Sequence, residues 1–211
     1  ARIMWYLARY HGIKVSDATV YRILKRNALN RLPGGTRVRK IHTHRYEQRV
    51  PGHQIQVDVK FLKFENKDGK AIKRYQYTAI DDAKRIRPLK IYDRHNQANA
   101  IDFINSVIEK FPFRIREVRT DNGHEFQAKF HWHVEDHGIR HAYIRPASPQ
   151  LNRKVERSHR TDEQEFYQLL SYVGDVDLNA KLDEWERFYN LARPHGAFKG
   201  KAPYEILREK L

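Results

Sequence analysis

The sequence predicts an α/β fold in which a mixed β-sheet is flanked by helices, and two observations lead to this prediction. Residues 53–92 alternate apolar and polar side chains with the two-residue period of strands. From residue 97 onward, segments with apolar residues at helical spacing alternate with short apolar runs that are typical of strands. Both patterns together favour helices packed against one sheet.

The first predicted strand runs from His53 to Phe64, and the segment from Asn66 to Gly69 is typical of a hairpin turn. One face of this strand is expected to carry Ile55, Val57, Val59 and Phe61. The later elements are expected to be strands at 75–80 and 86–92, a helix at 97–111, a strand at 115–120, a helix at 123–137, a strand at 139–144, and helices at 149–170, 177–189 and 203–207. Three antiparallel strands followed by alternating helices and strands match the order of a ribonuclease H-like sheet.

The N-terminal residues predict two short helices around a tight turn. The first runs from Arg2 to His11, Gly12 ends it, and Ser16 or Asp17 caps the second. The second helix is expected to bury Val20, Ile23 and Leu24 and to leave outside Thr19, Arg22, Lys25 and Arg26. This pattern is typical of a DNA-binding helix-turn-helix segment, and an ordinary helical hairpin is the alternative.

The charge of the chain points to a polyanionic partner. Its 211 residues include 41 Lys and Arg against 26 Asp and Glu, which gives a net charge of +15. Nucleic acid is the expected partner because phosphates attract such a surface, although surplus charge can also simply aid solubility. No cysteine is present, so disulfides and Cys-based zinc sites are excluded. No apolar run has the length of a membrane span, and we expect a cytoplasmic protein with no membrane partner.

Four segments are expected along the chain. Residues 1–30 form the helix-turn-helix segment, which we expect to be truncated at its N-terminus, and residues 31–50 form a basic linker. Residues 51–172 form the catalytic core, and residues 173–211 form a C-terminal helical extension.

Three acidic residues stand where a sheet enzyme would hold metal ions. Asp58 interrupts the β-branched residues of the first strand, where an acid is poorly suited. Asp121 follows the fourth strand, and Glu156 lies about two turns into the helix that begins with Ser148 and Pro149. Carboxylates from separate elements suit Mg²⁺, and two such ions can activate an attacking oxygen and stabilise a leaving one. Taken singly, an Asp before Asn-Gly is commonly part of a turn, and a Glu in a helix is commonly a solvated charge.

Short motifs around these acids carry a resemblance to a known family. They read QVDVKFL around Asp58, RTDNGHEF around Asp121 and RPASPQLNRKVERSHRT around Glu156, and the tail reads FYNLARPHGAFKGKAPYEIL. The last two acids are 156 − 121 = 35 positions apart. In order and spacing, residues from about 50 to 210 resemble the integrase catalytic core of bacterial insertion-sequence transposases, which is distantly similar to retroviral integrases.

The resemblance implies a ribonuclease H-like fold and a triad of Asp58, Asp121 and Glu156 that is both catalytic and metal-binding. It implies two Mg²⁺ or Mn²⁺ ions per active site, cleavage of transposon ends and strand transfer into target DNA. The partners that it implies are double-stranded DNA and further copies of the chain assembled on that DNA, in association with the bacterial nucleoid. The absence of a P-loop motif argues against an ATP-driven accessory protein.

The sequence departs from the family near the third acid. Relatives often read Asn-Gly-Lys where this chain has Asn152-Arg153-Lys154, and many carry a basic residue where it has Glu163. We expect DNA contacts near the site from Asn122, Arg153, Lys154, Arg157 and Arg160, with His159 as a further phosphate contact. Gly123 is expected to let the DNA backbone approach closely.

Some acidic and histidine residues are given structural interpretations. Asp81 and Asp82 are interpreted as a strand-end cap and a solvated charge. No zinc site is expected from the histidines at positions 42, 44, 131, 133, 137 and 141. Two other functions stay open. One is a different ribonuclease H-like nuclease, which would need a fourth carboxylate near the three, and the other is an inactive or domesticated DNA-binding protein.

Overall fold

The computed structural model describes residues 2–30, 50–65, 69–144, 153–171 and 173–209. The chain divides into two compact units, one formed by Ala1–Tyr46 with Leu191–Leu211 and the other by Glu47–Asn190. Almost all of the expected basic linker, three of the hairpin-turn residues and the expected helix start at Ser148 and Pro149 lie outside the described residues. Across the described part of the chain, every helix is too short or too polar to cross a membrane.

The larger unit contains a mixed sheet of five strands in the order β3-β2-β1-β4-β5. The strands are β1 (Ile55–Glu65), β2 (Ala71–Asp81), β3 (Leu89–Tyr92), β4 (Glu117–Thr120) and β5 (Arg140–Tyr143). β2 is antiparallel to both of its neighbours, β1 and β3, whereas β4 runs parallel to both β1 and β5. The predicted hairpin is confirmed because β1 and β2 pair along their whole length, from Ile55 opposite Asp81 to Glu65 opposite Ala71.

Seven helices and three short 3₁₀ turns are found in the described residues. The helices are α1 (Arg2–His11), α2 (Asp17–Arg26), α3 (Gln97–Lys110), α4 (Lys129–Asp136), α5 (Arg153–Glu165), α6 (Asp175–Leu191) and α7 (Pro203–Arg208). The single helix expected over 123–137 is wrong in its first part, where a 3₁₀ turn (His124–Phe126) precedes α4. Ala128 separates the two, because its φ of 42° is incompatible with a continuous right-handed helix.

Helices cover both faces of the sheet. On one face, α3 contributes Ala100, Phe103, Ile104 and Val107 to the fully buried core that also contains Ile55 and Val57 of β1. On the other face, α6 packs in a cluster formed by Leu62, Leu89, Ile91, Leu178, Leu182, Trp185 and Tyr189. Helix α6 lies in the segment that we expect to be a C-terminal extension. Nearly all of it belongs to the compact unit that holds the sheet.

Phe61, at the end of the predicted apolar face of β1, lies outside the enclosed core. Its side chain is 62% exposed. Its ring packs edge-on against Tyr75 and His95, with centroids 5.2 Å and 5.0 Å away. The apolar alternation of β1 therefore continues past the end of the enclosed core.

The smaller unit joins the two N-terminal helices to the C-terminal segment. The guanidinium of Arg9 lies 2.6 Å from the Glu205 carboxylate and donates to the Gly200 carbonyl at 3.2 Å. Gly200 has a φ of +94°, and a Cβ there would lie 2.6 Å from the Trp5 ring, so this position requires glycine. The ends of the chain thus form one packing unit.

The caps of the N-terminal helices are confirmed, but their buried stripe is only partly as predicted. Gly12 has a φ of +65°, and Ser16 accepts a hydrogen bond from the Thr19 amide at 3.1 Å. Val20 is buried, whereas Ile23, predicted to be buried with it, is 51% exposed. Val20 is the only buried residue among those described in α2, so the helix is enclosed only near its first turn.

Candidate active site

Two of the three predicted acids lie on neighbouring parallel strands. Asp58 is in the middle of β1, opposite Thr78 of β2. The parallel pairing of β1 with β4 ends at Gln56 opposite Arg119, two positions before Asp58. Asp121 directly follows the last residue of β4, so it emerges at the same end of the sheet. Its carboxylate accepts a hydrogen bond from the Gly123 amide at 2.9 Å, which shapes the loop that follows.

The electrostatics of Asp58 indicate that the three acids converge. Burial first, and then the negative charges of Asp121, Glu156 and Glu125, raise the pKa of Asp58 to about 7, against a hydrogen bond from the Val59 amide that lowers it. Burial disfavours an isolated charge, and nearby like charges add to that effect. A cation among these carboxylates would reverse both effects, which is the environment expected of a metal ligand.

Glu156 is positioned by hydrogen bonds that join the start of α5 to the sheet. The Val155 amide donates to the Gln56 side-chain oxygen at 3.3 Å, and the Gln56 amide group donates to the Asp82 carboxylate at 3.0 Å. The Lys154 ammonium lies 2.9 Å from the same carboxylate and donates to the Asp82 carbonyl at 2.6 Å. Gln56 of β1 and Lys154 of α5 therefore share one buried acceptor, the Asp82 carboxylate.

This network corrects one of the two interpretations at the end of β2. Asp81 is a cap, as predicted, because its carboxylate accepts from the Gly52 amide at 2.9 Å and from the Lys84 amide at 2.5 Å. The interpretation of Asp82 as a solvated charge is wrong, because this residue is fully buried. The ion pair with Lys154 and the bond from Gln56 compensate its burial.

A second set of contacts holds the middle of α5 over β1. The Lys60 ammonium donates to the His159 carbonyl at 3.3 Å and to the Glu163 carboxylate at 2.5 Å. The Nδ1 of His159 lies 3.7 Å from the Asp58 carboxylate. Burial lowers the pKa of His159 to about 4, so its ring is neutral at neutral pH. His159 thus lines the site next to Asp58.

The basic residues predicted to contact DNA have different surroundings. Lys154 is engaged by Asp82, as described above, and the Thr19 hydroxyl lies 2.9 Å from that of Ser16. The other predicted contacts are exposed: Arg22, Lys25, Arg26, Asn122, Arg153, Arg157 and Arg160. Their contacts with DNA stay predictions.

The three acids have the ligand chemistry that divalent cations prefer, but in the described residues their carboxylate oxygens do not all lie within 4.8 Å of one another. In the described part of the chain, only His95, His124 and Glu125 bring three ligand atoms within 4.8 Å of one another. Two ions about 3.5–4 Å apart need not share all ligands, since each requires only some of the carboxylates. The charges of Asp121 and Glu156 both act on Asp58, so the three carboxylates form one electrostatic cluster.

Glu125 is the residue that sequence reasoning missed. It is only 4% exposed, and its charge acts on Asp58. The motif RTDNGHEF contains it, but a Glu inside a predicted helix gives no sign of burial. The helix is interrupted after Phe126, and this turn directs Glu125 inward.

Gly123 lies against Glu125 of the same chain, and its predicted role in the approach of DNA stays a prediction. A Cβ at this position would lie 2.5–2.7 Å from the carboxylate atoms of Glu125. The missing side chain therefore leaves room for a buried acid of the same chain.

Comparisons with known proteins agree with this architecture. A sequence model described as Integrase core domain matches residues 48–149, and a second of the same description matches residues 137–203. The putative integrase ORF3 of Spiroplasma virus SpV1-C74 is 30% identical over 187 residues, which are 81% of this chain and 51% of that protein. The insertion element IS476 uncharacterized 39.2 kDa protein of Xanthomonas euvesicatoria is 27% identical over 136 residues, 58% of this chain and 39% of that protein. The chain thus spans about half or less of these relatives.

A solved structure supports the fold. The HTLV-2 integrase catalytic core domain in complex with magnesium, in its dimeric form, has a TM-score of 0.59 and 17% identity and covers 76% of this chain and 98% of that one. This likeness, with the observed strand order, confirms the predicted ribonuclease H-like mixed sheet flanked by helices. The two family matches together run from residue 48 to residue 203, through the sheet and the helices that position Glu156, and the chain belongs to the integrase core domain superfamily.

Proposed function

We propose that this chain contains the catalytic core of a DNA transposase or integrase that cleaves phosphodiester bonds and transfers strands at transposon ends. The observation that carries the proposal is the half-buried Asp58 between β2 and the parallel strand β4, whose pKa is raised by its burial and by the nearby acids Asp121 and Glu156. An enzyme that binds divalent cations needs such a concentration of negative charge before the cations arrive. The relatives named integrase and insertion-element protein support the same reaction class.

Asp58, Asp121 and Glu156 would hold two Mg²⁺ or Mn²⁺ ions. When bound, such ions supply an activated oxygen nucleophile and stabilise the leaving oxygen. The protein's own contribution is to hold the carboxylates in place through the Gln56, Asp82 and Lys154 network. The similar HTLV-2 integrase catalytic core domain was solved in complex with magnesium, which supports this choice of ion.

Double-stranded DNA is the proposed substrate, both as transposon ends and as target. The net charge of +15 favours binding to phosphates without regard to sequence. Arg157 and Arg160 are exposed on the helix that carries Glu156, where they would contact the DNA backbone. Arg22, Lys25 and Arg26 of α2 would contact the transposon end. Because two ends must be held together, we propose that the chain assembles as a homo-oligomer on DNA, in the bacterial cytoplasm with the nucleoid.

The first test is nicking of supercoiled plasmid in Mn²⁺. We expect the parent protein to nick the plasmid and Asp121→Asn and Glu156→Gln to reduce the rate by at least about 100-fold, since each removes a metal ligand. Glu184→Gln is the matched control, because it removes an exposed carboxylate of α6 that takes no part in the contacts of the site. Equal rates in the parent and both ligand variants, or nicking that persists in a chelator, would contradict the assignment.

Glu125 favours one alternative function, a ribonuclease H-like nuclease with four carboxylates. Its charge acts on Asp58 although it lies outside the predicted triad. This alternative predicts cleavage of RNA in an RNA–DNA hybrid of arbitrary sequence, whereas the transposase predicts joining of a free 3′-hydroxyl end to plasmid. One gel with both labelled substrates separates the two functions. Metal-independent DNA binding without either product, even with candidate transposon ends, would instead indicate an inactive DNA-binding protein.

A further inference from the structure

Three side chains next to the carboxylate triad form a second cluster of metal-ligand type. They are His95, just before α3, and His124 and Glu125, in the turn after β4. One nitrogen of each ring and one carboxylate oxygen all lie within 4.8 Å of one another. The Nε2 of His95 is 2.7 Å from one Glu125 oxygen, and the Nδ1 of His124 is 3.5 Å from the other.

The ring of His124 is oriented as a metal ligand would be. Its Nε2 lies 3.2 Å from the backbone carbonyl of His95. A carbonyl only accepts, so the neutral ring carries its proton on Nε2 and leaves a lone pair on Nδ1, toward Glu125. Metal-binding histidines commonly donate their second N–H to a backbone carbonyl in this way.

The buried atoms of the cluster lack conventional partners. Within the described residues, neither the Nε2 of His95 nor the second oxygen of Glu125 has a partner in hydrogen-bond geometry, although both atoms are fully buried. The 2.7 Å approach of this Nε2 to the other Glu125 oxygen is a close contact without that geometry. The Glu125 residue itself is 4% exposed. Leaving a buried carboxylate oxygen without a donor is unfavourable, and a cation between the carboxylate and the rings would satisfy both groups.

The surroundings keep these ligands in place. The His95 ring stacks on Tyr75 with centroids 5.4 Å apart and meets Phe61 edge-on. The Gln97 side chain donates to the His124 carbonyl at 3.2 Å. The His124 side chain is 67% exposed, so the cluster is open to solvent at this ring.

We propose that His95, His124 and Glu125 bind one divalent cation of the zinc class, apart from the ions held by Asp58, Asp121 and Glu156. Two imidazoles and one carboxylate suit Zn²⁺, which commonly takes three protein ligands and a water. Mg²⁺ prefers oxygen ligands alone, so the two sites differ in selectivity. The cation links the segment before α3 to the loop that carries Asp121, and it therefore stabilises that loop.

The test uses a protein in which the triad cannot bind metal, so that it does not depend on the proposed catalytic function. The Asp58→Asn, Asp121→Asn, Glu156→Gln triple variant, stripped of metal, is titrated with Zn²⁺ by calorimetry and with Co²⁺ by visible absorption. We expect one ion per chain, and adding His124→Ala is expected to weaken binding by at least about 100-fold. Because His124 is exposed, this change should leave the fold intact, which circular dichroism checks.

The matched control is His133→Ala in the same triple variant. His133 in α4 and His137, which caps the end of that helix, have ring centroids 4.8 Å apart, so they form a histidine pair outside the proposed site that could bind zinc adventitiously. Unchanged Zn²⁺ affinity in the His133→Ala protein supports the proposal. Zn²⁺ binding that survives His124→Ala but is lost in His133→Ala, or no Zn²⁺ binding to the triple variant, would overturn it.

Discussion

Lys154, which stands two residues before Glu156 in the chain, places its ammonium group 2.9 Å from the carboxylate of Asp82. Asp82 also accepts from Gln56, two residues before Asp58. One buried acid therefore joins the two segments that carry two of the three proposed metal ligands. Its role is to position these ligands, since it binds neither the ions nor the DNA in the proposed function.

Removing this acid should lower both stability and activity. Asp82→Ala leaves Lys154 and Gln56 without their acceptor, and breaking a buried ion pair typically costs about 3–5 kcal/mol. We expect a loss toward the lower end of that range in urea unfolding, since Lys154 is partly exposed. Mn²⁺-dependent nicking should fall by about 10-fold or more even where the variant is fully folded. Full nicking by a folded Asp82→Ala protein would show that the network does not position Glu156.

Replacing Asp58 should stabilise the metal-free protein at neutral pH but not in acid. The pKa of Asp58 is raised from 3.8 to about 7, so its contribution to stability is fully present below about pH 4 and is lost as pH rises through 7. Asp58→Asn removes this dependence. Its free energy of unfolding in a chelator should exceed that of the parent by a few kcal/mol near pH 8 and by progressively less toward pH 4.

Metal should reverse this difference. Added Mg²⁺ is expected to stabilise the parent and not the Asp58→Asn variant, because binding to the folded state alone raises stability. A stability gap between the two proteins that is independent of pH would contradict the raised pKa of Asp58.

The buried ion pair of Arg87 and Asp162 should be essential to the packing of α5 on the sheet. The two groups lie 2.6 Å apart with fully buried side chains, and the Trp185 indole donates to the same Asp162 oxygen at 2.7 Å. Asp162→Ala should cost about 3–5 kcal/mol in urea unfolding. The exposed pair of Lys90 and Asp102 is the matched control, and Lys90→Ala should cost at most about 1 kcal/mol. Similar losses at both sites would contradict this view.

Arg157 and Lys154 should differ in their effects on DNA binding. Arg157 is exposed, whereas Lys154 is paired with Asp82. Arg157→Ala is expected to reduce the slope of log K against log salt by about 1, the signature of one lost phosphate contact. Lys154→Met should leave that slope unchanged in protein shown to be folded. The opposite result would mean that Lys154 leaves Asp82 to bind DNA.

Most of the strands and helices could be predicted because their patterns are local. The alternation in β1, the turn before β2 and the Ser16 cap each depend on residues close together in sequence. The break at Ala128 could not be predicted, because nothing about alanine signals a positive φ. Tertiary packing decides that position.

The candidate site shows the same division. Asp58, Asp121 and Glu156 stand out through their motifs and their places in predicted elements. The burial of Asp82 depends on Lys154, and the contact of His95 with Glu125 joins residues thirty positions apart, so neither leaves a local pattern. Long-range partners of buried polar groups cannot be inferred from one sequence.

The parallel pairing of β1 with β4 also has a consequence for the folding kinetics of the chain. The β1–β2 hairpin closes over a short turn, whereas Ile55 meets Val118 only after β2, β3 and α3 have been placed between them. Contacts between residues so far apart in the sequence form late, because the entropy cost of closing the long loop between them must be overcome first. Because Asp121 follows β4 and Glu156 follows β5, the acidic cluster assembles only near the end of folding. In the proposed function, a growing chain on the ribosome would therefore be unable to cut DNA until α5 has followed the completed sheet.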